Sequence, residues 1–499
     1  MRTMTRLTLT FAAAATLATA LATTLATTLA ATAAIPPRPE DLKFAPLAFT
    51  PPEAKDYRHT LKDGTPVYMA PSKEFPLVTI SMSFKGGSYL DPADSPGLAS
   101  MTGSLMRSGG TTSLKPADLD EELDFLATRV GVQVRDTMSS ATLNTLTSNL
   151  ETSMDLFFDV VRNPGFDQGR LDVQKGEAIE SMKQRNDSAD SIIDREWSSM
   201  LYGSDHHEAR QPTQASIEAI TQDSLRAMHA KIFHPGNAII AVSGDFDPSN
   251  MMARLDKAFE GWQRGSPNQD PPAPTVQVTP GVYHVAKDIP QGKVFIGLRG
   301  IKRDDPDFFP MLMMNDILGG GGFTSRIMQS VRSNEGLAYS AGSRSNANPW
   351  YPGEFRALFQ SKNATVALAL KLIDDEFHRI RRESVTEAEL ETAKNSFVET
   401  FPQNFASKEA MLGIFVSDEM TRRPDGYWQT FREKVMAVKP EDIQRVANKY
   451  LDPKKMAVMV VGNWDEIYQG NDRASMKDFF NGDVTHLPLR DPLTLEPIK

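Results

Sequence analysis

The sequence predicts an α+β protein built from two similar halves, each a mostly antiparallel sheet with helices packed on one face. Strand-like and helical segments are grouped rather than strictly alternating, a proline-rich segment divides the chain, and motifs of the first half recur in the second. At 499 residues the chain is also longer than one ordinary domain core. A parallel doubly wound sheet would need regular strand–helix alternation and a phosphate-binding turn after its first strand, and neither is found.

The N-terminus has the pattern of a secretory signal peptide at residues 1–34. Arg2 and Arg6 precede an uncharged stretch of Leu, Ala and Thr, which ends in small residues before a proline-rich leader at 35–52. An uncleaved membrane anchor is the alternative, but frequent threonines and the small residues favour cleavage. We expect export, to the periplasm if the source is a Gram-negative bacterium, and no integral membrane segment after cleavage.

The composition excludes several kinds of chemistry. The chain contains no cysteine, so disulfides, thiolate metal ligands and cysteine nucleophiles are ruled out. Its formal net charge is −10 and no Lys- or Arg-rich stripe is present, which argues against nucleic acid as a partner. No nucleophile-elbow sequence supports Ser-His-Asp catalysis.

A polar linker rich in proline, at 266–280, cannot continue a helix or pair as a central strand. It separates an N-terminal domain at 53–265 from a C-terminal domain at 281–499. The segment SFKGGSYLDP at 83–92 has a counterpart 214 residues further on, GLRGIKRDDP. This recurrence predicts a duplicated fold of two units of about 220 residues.

Within the first half, a strand pattern at 78–84 is followed by helical patterns and then by a strand that ends at Gly244. The helical patterns lie at 118–129, 149–161 and 171–183. The strand that ends at Gly462 is its counterpart in the second half.

Residues 97–106, GLASMTGSLM, form a predicted helix with Ser100, Gly103 and Ser104 on one face. The segment resembles the signature helix of the pitrilysin/insulinase family of zinc peptidases, Gly-Leu-Ala-His-x-x-Glu-His-Met. The resemblance implies that Ser100 and Ser104 stand at the two zinc-binding histidines and Gly103 at the general base. It also places Glu180 at the family's third zinc ligand, although a solvated helix carboxylate explains Glu180 equally well.

These residues do not provide a catalytic zinc site. Zinc needs imidazole or carboxylate ligands and a base for its bound water, whereas a serine hydroxyl is a poor ligand and glycine has no side chain. The simpler interpretation is a small-residue helix face that packs closely against a neighbour. We expect this chain to bind no metal.

A second motif spans 319–340, GGGGFTSRIMQSVRSNEGLAYS. It resembles the C-terminal-domain segment of the same family, a glycine-rich turn followed by Arg-x-x-x-Gly-Leu-Ala-Tyr. The resemblance implies that Arg332 and Tyr339 reach the zinc site of another domain and stabilise the substrate carbonyl and its oxyanion. A surface arginine and a packed tyrosine are the alternative, which the ordered run of motif residues disfavours. A phosphate loop is excluded because Gly-Lys-[Ser/Thr] is missing.

The pair His206-His207 followed by Glu208 suggests a metal cluster, but adjacent side chains point apart and no second pair completes a site. We expect a solvated loop there. The other histidines are scattered singly along the sequence.

The resemblance covers about 57–461, and the family includes two-chain enzymes in which one subunit carries zinc and the other the Arg/Tyr pair. It implies an exported subunit of a heterodimeric zinc metallopeptidase, inactive alone, with zinc in its partner and unfolded peptides as substrates. Such a peptide would add a strand to a sheet edge, for which 132–135 is the candidate in the first half. A non-catalytic peptide-binding or scaffold subunit is the alternative, and a self-sufficient zinc peptidase is disfavoured.

Overall fold

The computed structural model describes residues 38, 42, 48–478 and 484–498. The chain divides into two units, residues 1–49 and residues 50–499, and all described helices and strands belong to the second. The predicted signal peptide lies outside the described residues, as does most of the leader. Within the described part of the chain, no helix is long and apolar enough to cross a membrane.

Two six-stranded sheets form the framework of the second unit. The first sheet contains β1 (Arg58–Thr60), β2 (Pro66–Pro71), β3 (Leu77–Lys85), β4 (Arg129–Val134), β5 (Met138–Leu146) and β6 (Ala238–Gly244). The second contains β7 (Gly281–Ala286), β8 (Gln291–Arg299), β9 (Ala338–Asn346), β10 (Glu354–Lys362), β11 (Ala457–Gly462) and β12 (Val484–Leu487).

The two sheets have matching strand orders, β1-β2-β6-β3-β5-β4 and β12-β7-β11-β8-β10-β9. In each, one pair of corresponding strands is parallel, β2 with β6 and β7 with β11, and β12 adds a second parallel pair. The remaining neighbours are antiparallel. The predicted duplication and the mostly antiparallel α+β class are therefore confirmed.

Fifteen helices are described around these sheets. Those of the first half are α1 (Leu98–Ser108), α2 (Pro116–Phe125), α3 (Leu150–Arg162), α4 (Gln168–Lys183), α5 (Ala189–Tyr202), α6 (Gln214–Glu218), α7 (Gln222–Ile232) and α8 (Pro248–Phe259). Those of the second are α9 (Phe308–Asn315), α10 (Val366–Arg382), α11 (Glu387–Thr400), α12 (Lys408–Met420), α13 (Tyr427–Ala437), α14 (Pro440–Tyr450) and α15 (Trp464–Gln469).

The main core of the first half lies between its sheet and its own helices, because the strands alternate apolar side chains toward them. Val78, Ile80, Met82 and Phe84 of β3 are all fully buried in this core. Apolar residues of α1 and α3 complete it. This layer fixes α1 against the sheet.

The opposite face of each sheet is covered by a helix from the other half. Helix α5 of the first half packs Ile193 and Trp197 against Phe295 and other residues of the second sheet. Helix α12 of the second half packs Leu412 and Phe415 against the first sheet. The two sequence-defined halves therefore bury each other's apolar surface and depend on each other for stability.

Residues 262–280, which include the predicted linker, contain neither helix nor strand. The linker is nevertheless tied to both halves through Asp270, which pairs with Lys85 of β3 and with Arg422 after α12. Both cations also lie over the ring of Trp350, at 5.6 Å and 5.4 Å from its centroid. The domain boundaries at 265 and 281 remain predictions.

Candidate functional site

Helix α1 turns two of its serines to solvent and its apolar residues to the core. Ser100 and Ser104 are exposed, whereas Leu98 and Leu105 are buried. The helix begins after Gly97, whose φ of +98° is one that residues with a side chain rarely adopt. Two backbone N–H groups at this end, of Gly97 and Ala99, donate to the carboxylate of Asp91.

Gly103 does not share the exposure of the two serines. It is buried where α1 packs against the edge strand β4, and a Cβ added to it would lie 2.6 Å from Cγ2 of Val134. Such a separation is far inside van der Waals contact, so a side chain there requires Val134 to move. Close packing against a neighbour therefore explains the glycine at this position. This is the simpler of the two interpretations, the other being a degenerate zinc site.

Helix α4 meets α1 through Gln174, a residue that the sequence motifs did not indicate. Its Nε2 donates to Oγ of Ser104 at 2.6 Å and to Oγ of Ser108 at 3.2 Å. Glu180 is exposed, and its carboxylate accepts a hydrogen bond from Lys183 at 2.5 Å. That pairing is what a solvated helix carboxylate makes.

The residues at this place do not fit a zinc ion. Two hydroxyl groups and a glycine supply none of the imidazole or carboxylate ligands that catalytic zinc uses. The described residues also contain no group of three or more His, Cys, Asp or Glu that could hold a metal.

In the second half, the glycine-rich segment packs against β9. Added Cβ atoms would lie 2.4 Å from the backbone N of Ser343 at Gly319 and 2.6 Å from Nδ2 of Asn315 at Gly320. These glycines therefore allow the backbone to approach its neighbours closely. That packing role, rather than phosphate binding, explains their presence.

Arg332 and Tyr339 are brought together by the turn that joins the π-helical segment Met328–Asn334 to β9. The guanidinium carbon of Arg332 lies 5.1 Å from the ring centroid of Tyr339. It also lies 4.5 Å from the ring of Phe323, a second residue that sequence reasoning missed. The three side chains form an exposed cluster, which we call the Arg332 cluster.

The Arg332 cluster is open to solvent. Tyr339 is 87% exposed and Phe323 is 65% exposed, whereas the arginine is half-buried. Among the described residues, Arg332 takes part in no ion pair and no hydrogen bond of its side chain, so its donors are not neutralised there. A charged donor without an acceptor is suited to bind an oxygen of another molecule.

The turn between Arg332 and Tyr339 is held from outside by an ion pair. Arg473 donates through Nη1 and Nη2 to Oε2 and Oε1 of Glu335, at 2.6 and 2.9 Å. This bidentate geometry fixes the turn more firmly than a single contact would. Arg332 and Tyr339 are thus presented on a restrained segment.

The edge strands of the two sheets occupy corresponding places. β4 is the last strand of the first sheet and β9 the last of the second. The candidate peptide-binding stretch 132–135 includes the last three residues of β4. Helix α1 packs against β4, and the glycine-rich segment packs against β9.

Residues 206–208 form a loop, as predicted, but the expectation that this loop is solvated is wrong. His207 is 8% exposed, and its Nε2 lies 3.0 Å from the hydroxyl of Tyr351, which donates to Glu208 at 2.5 Å. Burial lowers the pKa of His207 to about 4 and raises that of Glu208. This network could not be predicted from the sequence, because Tyr351 lies in the other half of the chain.

Comparisons with known proteins agree with this architecture. The model of the insulinase family, peptidase family M16, matches residues 68–211, and that of the peptidase M16 inactive domain matches residues 219–397. A Helicobacter pylori protein described as the non-peptidase homolog YmxG is 23% identical over 403 residues, which cover 80% of this chain and 92% of that protein.

Two solved structures extend the comparison. A peptidase M16 inactive domain from Pseudomonas fluorescens has a TM-score of 0.73 and 25% identity, and covers 81% of this chain and 98% of its own. The periplasmic protease PqqL from Escherichia coli has a TM-score of 0.71 and 14% identity, over 87% of this chain and 49% of its own. The second likeness shows the fold alone.

Proposed function

The chain belongs to the insulinase family as an inactive homologue, and we propose that it is the exported, non-zinc subunit of a two-chain peptidase. In this proposal a partner of the same family holds the zinc. This chain contributes Arg332 and Tyr339, which bind the carbonyl oxygen of the peptide bond to be cleaved. The isolated chain would have no peptidase activity of its own.

The observation that carries the proposal is the pairing of Arg332 with Tyr339 on an exposed, restrained turn. A guanidinium and a phenol hydroxyl both donate hydrogen bonds, and these bonds strengthen as negative charge develops on the carbonyl oxygen. Stabilisation that is greater in the transition state than in the bound substrate raises the rate of the chemical step. A purely structural side chain would gain nothing from such exposure.

The edge positions of β4 and β9 support a peptide substrate. An extended peptide can add a strand to an edge, through main-chain hydrogen bonds that depend little on its side chains. That mode of binding requires an unfolded segment, because a folded domain has already paired its strands. We therefore propose unfolded peptides as the substrate class.

Export is proposed from the sequence of residues 1–34 alone. Its two arginines, uncharged stretch and small residues are those of a cleavable signal. The periplasm would be the destination in a Gram-negative source.

The test begins with a tagged copy of the chain expressed in its own host. We expect it to co-purify with a family member that carries His-x-x-Glu-His, and the complex to contain zinc and cleave unfolded peptides. Arg332→Ala should lower kcat by about 10²–10³, the loss typical of a removed oxyanion donor. Tyr339→Phe, which removes the hydroxyl and keeps the ring, should also lower kcat.

Arg226→Ala is the matched control, because it removes the same charge from an exposed position of α7, in the other half of the chain. It should leave kcat unchanged. An active complex that is indifferent to both Arg332→Ala and Tyr339→Phe would refute the catalytic role.

A scaffold subunit is the second candidate, and the packing of Gly103 against Val134 favours it because the former catalytic helix has become a packing surface. If this chain is a scaffold, the Arg332→Ala variant will still assemble into the complex. That complex will contain no zinc and will not cleave peptides. The same purification therefore separates the two candidates.

A further inference from the structure

We propose that Phe323 is a positioning residue, which holds the guanidinium of Arg332 so that its N–H groups point toward the substrate carbonyl. This inference rests on the proposed function of Arg332. It assigns a role to an exposed aromatic residue that neither motif explains.

The backbone around Phe323 is pinned on both sides. Before it, a Cβ on Gly321 would lie 2.8 Å from the backbone oxygen of Asp316, so the chain is tightly packed there. After it, Thr324 donates to the carbonyl of Gly321 at 2.9 Å and Ser325 donates to the carbonyl of Gly322 at 2.7 Å. The ring of Phe323 is therefore carried by a restrained loop.

The ring itself is not part of the core. It is 65% exposed, although Ser325 two residues later is buried. An exposed aromatic ring on a fixed backbone is available for a surface contact, and here the contact is the guanidinium of Arg332 at 4.5 Å.

The guanidinium carbon lies over the ring of Phe323, and a hydrocarbon ring there accepts none of the N–H groups in the way that an oxygen would. The five N–H donors of an arginine lie in the plane of the group, so a ring that covers a face does not compete for them. Tyr339 also contacts the guanidinium, at 5.1 Å, but its own hydroxyl is needed as a donor and its ring is 87% exposed. Phe323 is thus the contact whose sole contribution is orientation.

An arginine side chain has many rotamers. A donor that must first be ordered during the reaction stabilises the transition state less than a donor that is already oriented. Removal of the Phe323 ring should therefore weaken the effect of Arg332 without removing its charge. The loss should appear in kcat, because substrate binding by the sheet edge does not require this residue.

The first experiment is a double-mutant cycle in the native complex, with unfolded peptide as substrate. Phe323→Ala should lower kcat about tenfold with little change in KM, while Phe323→Trp, which keeps an aromatic face, should retain most of the activity. In the Arg332→Ala background, Phe323→Ala should have no further effect. An equal loss in both backgrounds would overturn the proposal, because Phe323 would then act on the substrate directly.

The second experiment needs no partner. In the full chain labelled with ¹⁵N-arginine, the Nε–H signal of Arg332, identified by its absence in Arg332→Lys, should show a ring-current shift. Phe323→Ala should abolish most of that shift and Phe323→Trp should keep one. An unchanged signal in Phe323→Ala would overturn the positioning role. Arg332→Ala could instead leave kcat of the complex unchanged while Phe323→Ala abolishes the ring-current shift. The proposed function would then be refuted, but the contact between Phe323 and Arg332 would be confirmed.

Discussion

The two halves use the same sheet layout but treat the segment beside the edge strand differently. In the first half, α1 lies against β4 with a glycine at the tightest point, so the helix serves packing. In the second, glycines do the packing against β9, and the chain beyond them carries the half-buried Arg332 beside the exposed ring of Tyr339. One duplicated fold can thus pack the segment beside one edge strand against the sheet and leave aromatic side chains exposed beside the other.

The largest expected effect concerns the exchange of helices between the halves. Trp197→Ala in α5 removes a side chain that is 1% exposed, packs against Phe295 and donates to Glu354 at 2.8 Å. Phe415→Ala in α12 removes the equivalent anchor on the first sheet. Each should lower the free energy of unfolding by about 3–5 kcal/mol.

The measurement is urea unfolding followed by circular dichroism, with Phe125→Ala, an exposed aromatic, as the control. Trp197→Ala and Phe415→Ala should each unfold in a single transition, at a lower urea concentration than the wild type. Two separate transitions in either variant would mean that the halves fold independently and do not stabilise each other.

Gly103→Glu tests whether α1 has room for a glutamate side chain at this position beside Val134. Its side chain must displace Val134 and bury a carboxylate, which should destabilise the chain by about 1–3 kcal/mol even after the gain in helix propensity. Gly176→Glu in α4 is the matched control, since a Cβ there meets nothing within 4 Å. Val134→Ala should relieve much of the loss. Equal thermal melting of Gly103→Glu and Gly176→Glu would show that α1 retains room for the catalytic residue.

Each half contains a buried histidine whose pKa is lowered to about 4 by desolvation, His207 in the first and His284 in the second. In the unfolded chain each histidine binds a proton near pH 6.5, whereas in the folded chain it remains neutral to a lower pH. The contribution of each histidine to the free energy of unfolding is therefore fully present above pH 6.5 and is lost as the pH falls toward 4. Each histidine should contribute about 1–3 kcal/mol to this loss.

The check is urea unfolding of the wild type and of His207→Gln at several pH values between 7.5 and 4.5. Glutamine can still donate to Tyr351 but does not titrate, so the variant should lose less stability on acidification. A parallel loss in both proteins would exclude His207 as a source of the pH dependence.

The smallest expected effect is at the linker. Asp270→Asn weakens the pairs with Lys85 and Arg422, which are partly exposed and should together contribute no more than about 1 kcal/mol. Limited proteolysis should cut residues 266–280 faster in this variant than in Asp256→Asn, whose carboxylate pairs with Lys62 within the first half. Identical cleavage rates would show that the linker is held by its other contacts.

Several features could be predicted because they depend on local pattern or on duplication. Strand β3, helix α1 and helix α4 follow from apolar periodicity, and the matching sheets follow from the recurrence of SFKGGSYLDP as GLRGIKRDDP. The partners Gln174 and Phe323 could not be predicted from spacing. The contact between α1 and α4, like the contact between the ring of Phe323 and the guanidinium of Arg332, depends on how the elements pack.

The amino-acid sequence by itself determined the duplicated α+β fold, because that follows from periodicity and from recurring motifs. It also has no histidine or carboxylate at 100, 103 and 104, where the resemblance implies zinc ligands and a base. Only the tertiary structure decided that Val134 fills the space beside Gly103, that His207 is buried and that the guanidinium of Arg332 lies near two exposed rings. These features depend on contacts between segments that are distant in the sequence. Such contacts are decided by close packing in the tertiary structure and not by local sequence pattern.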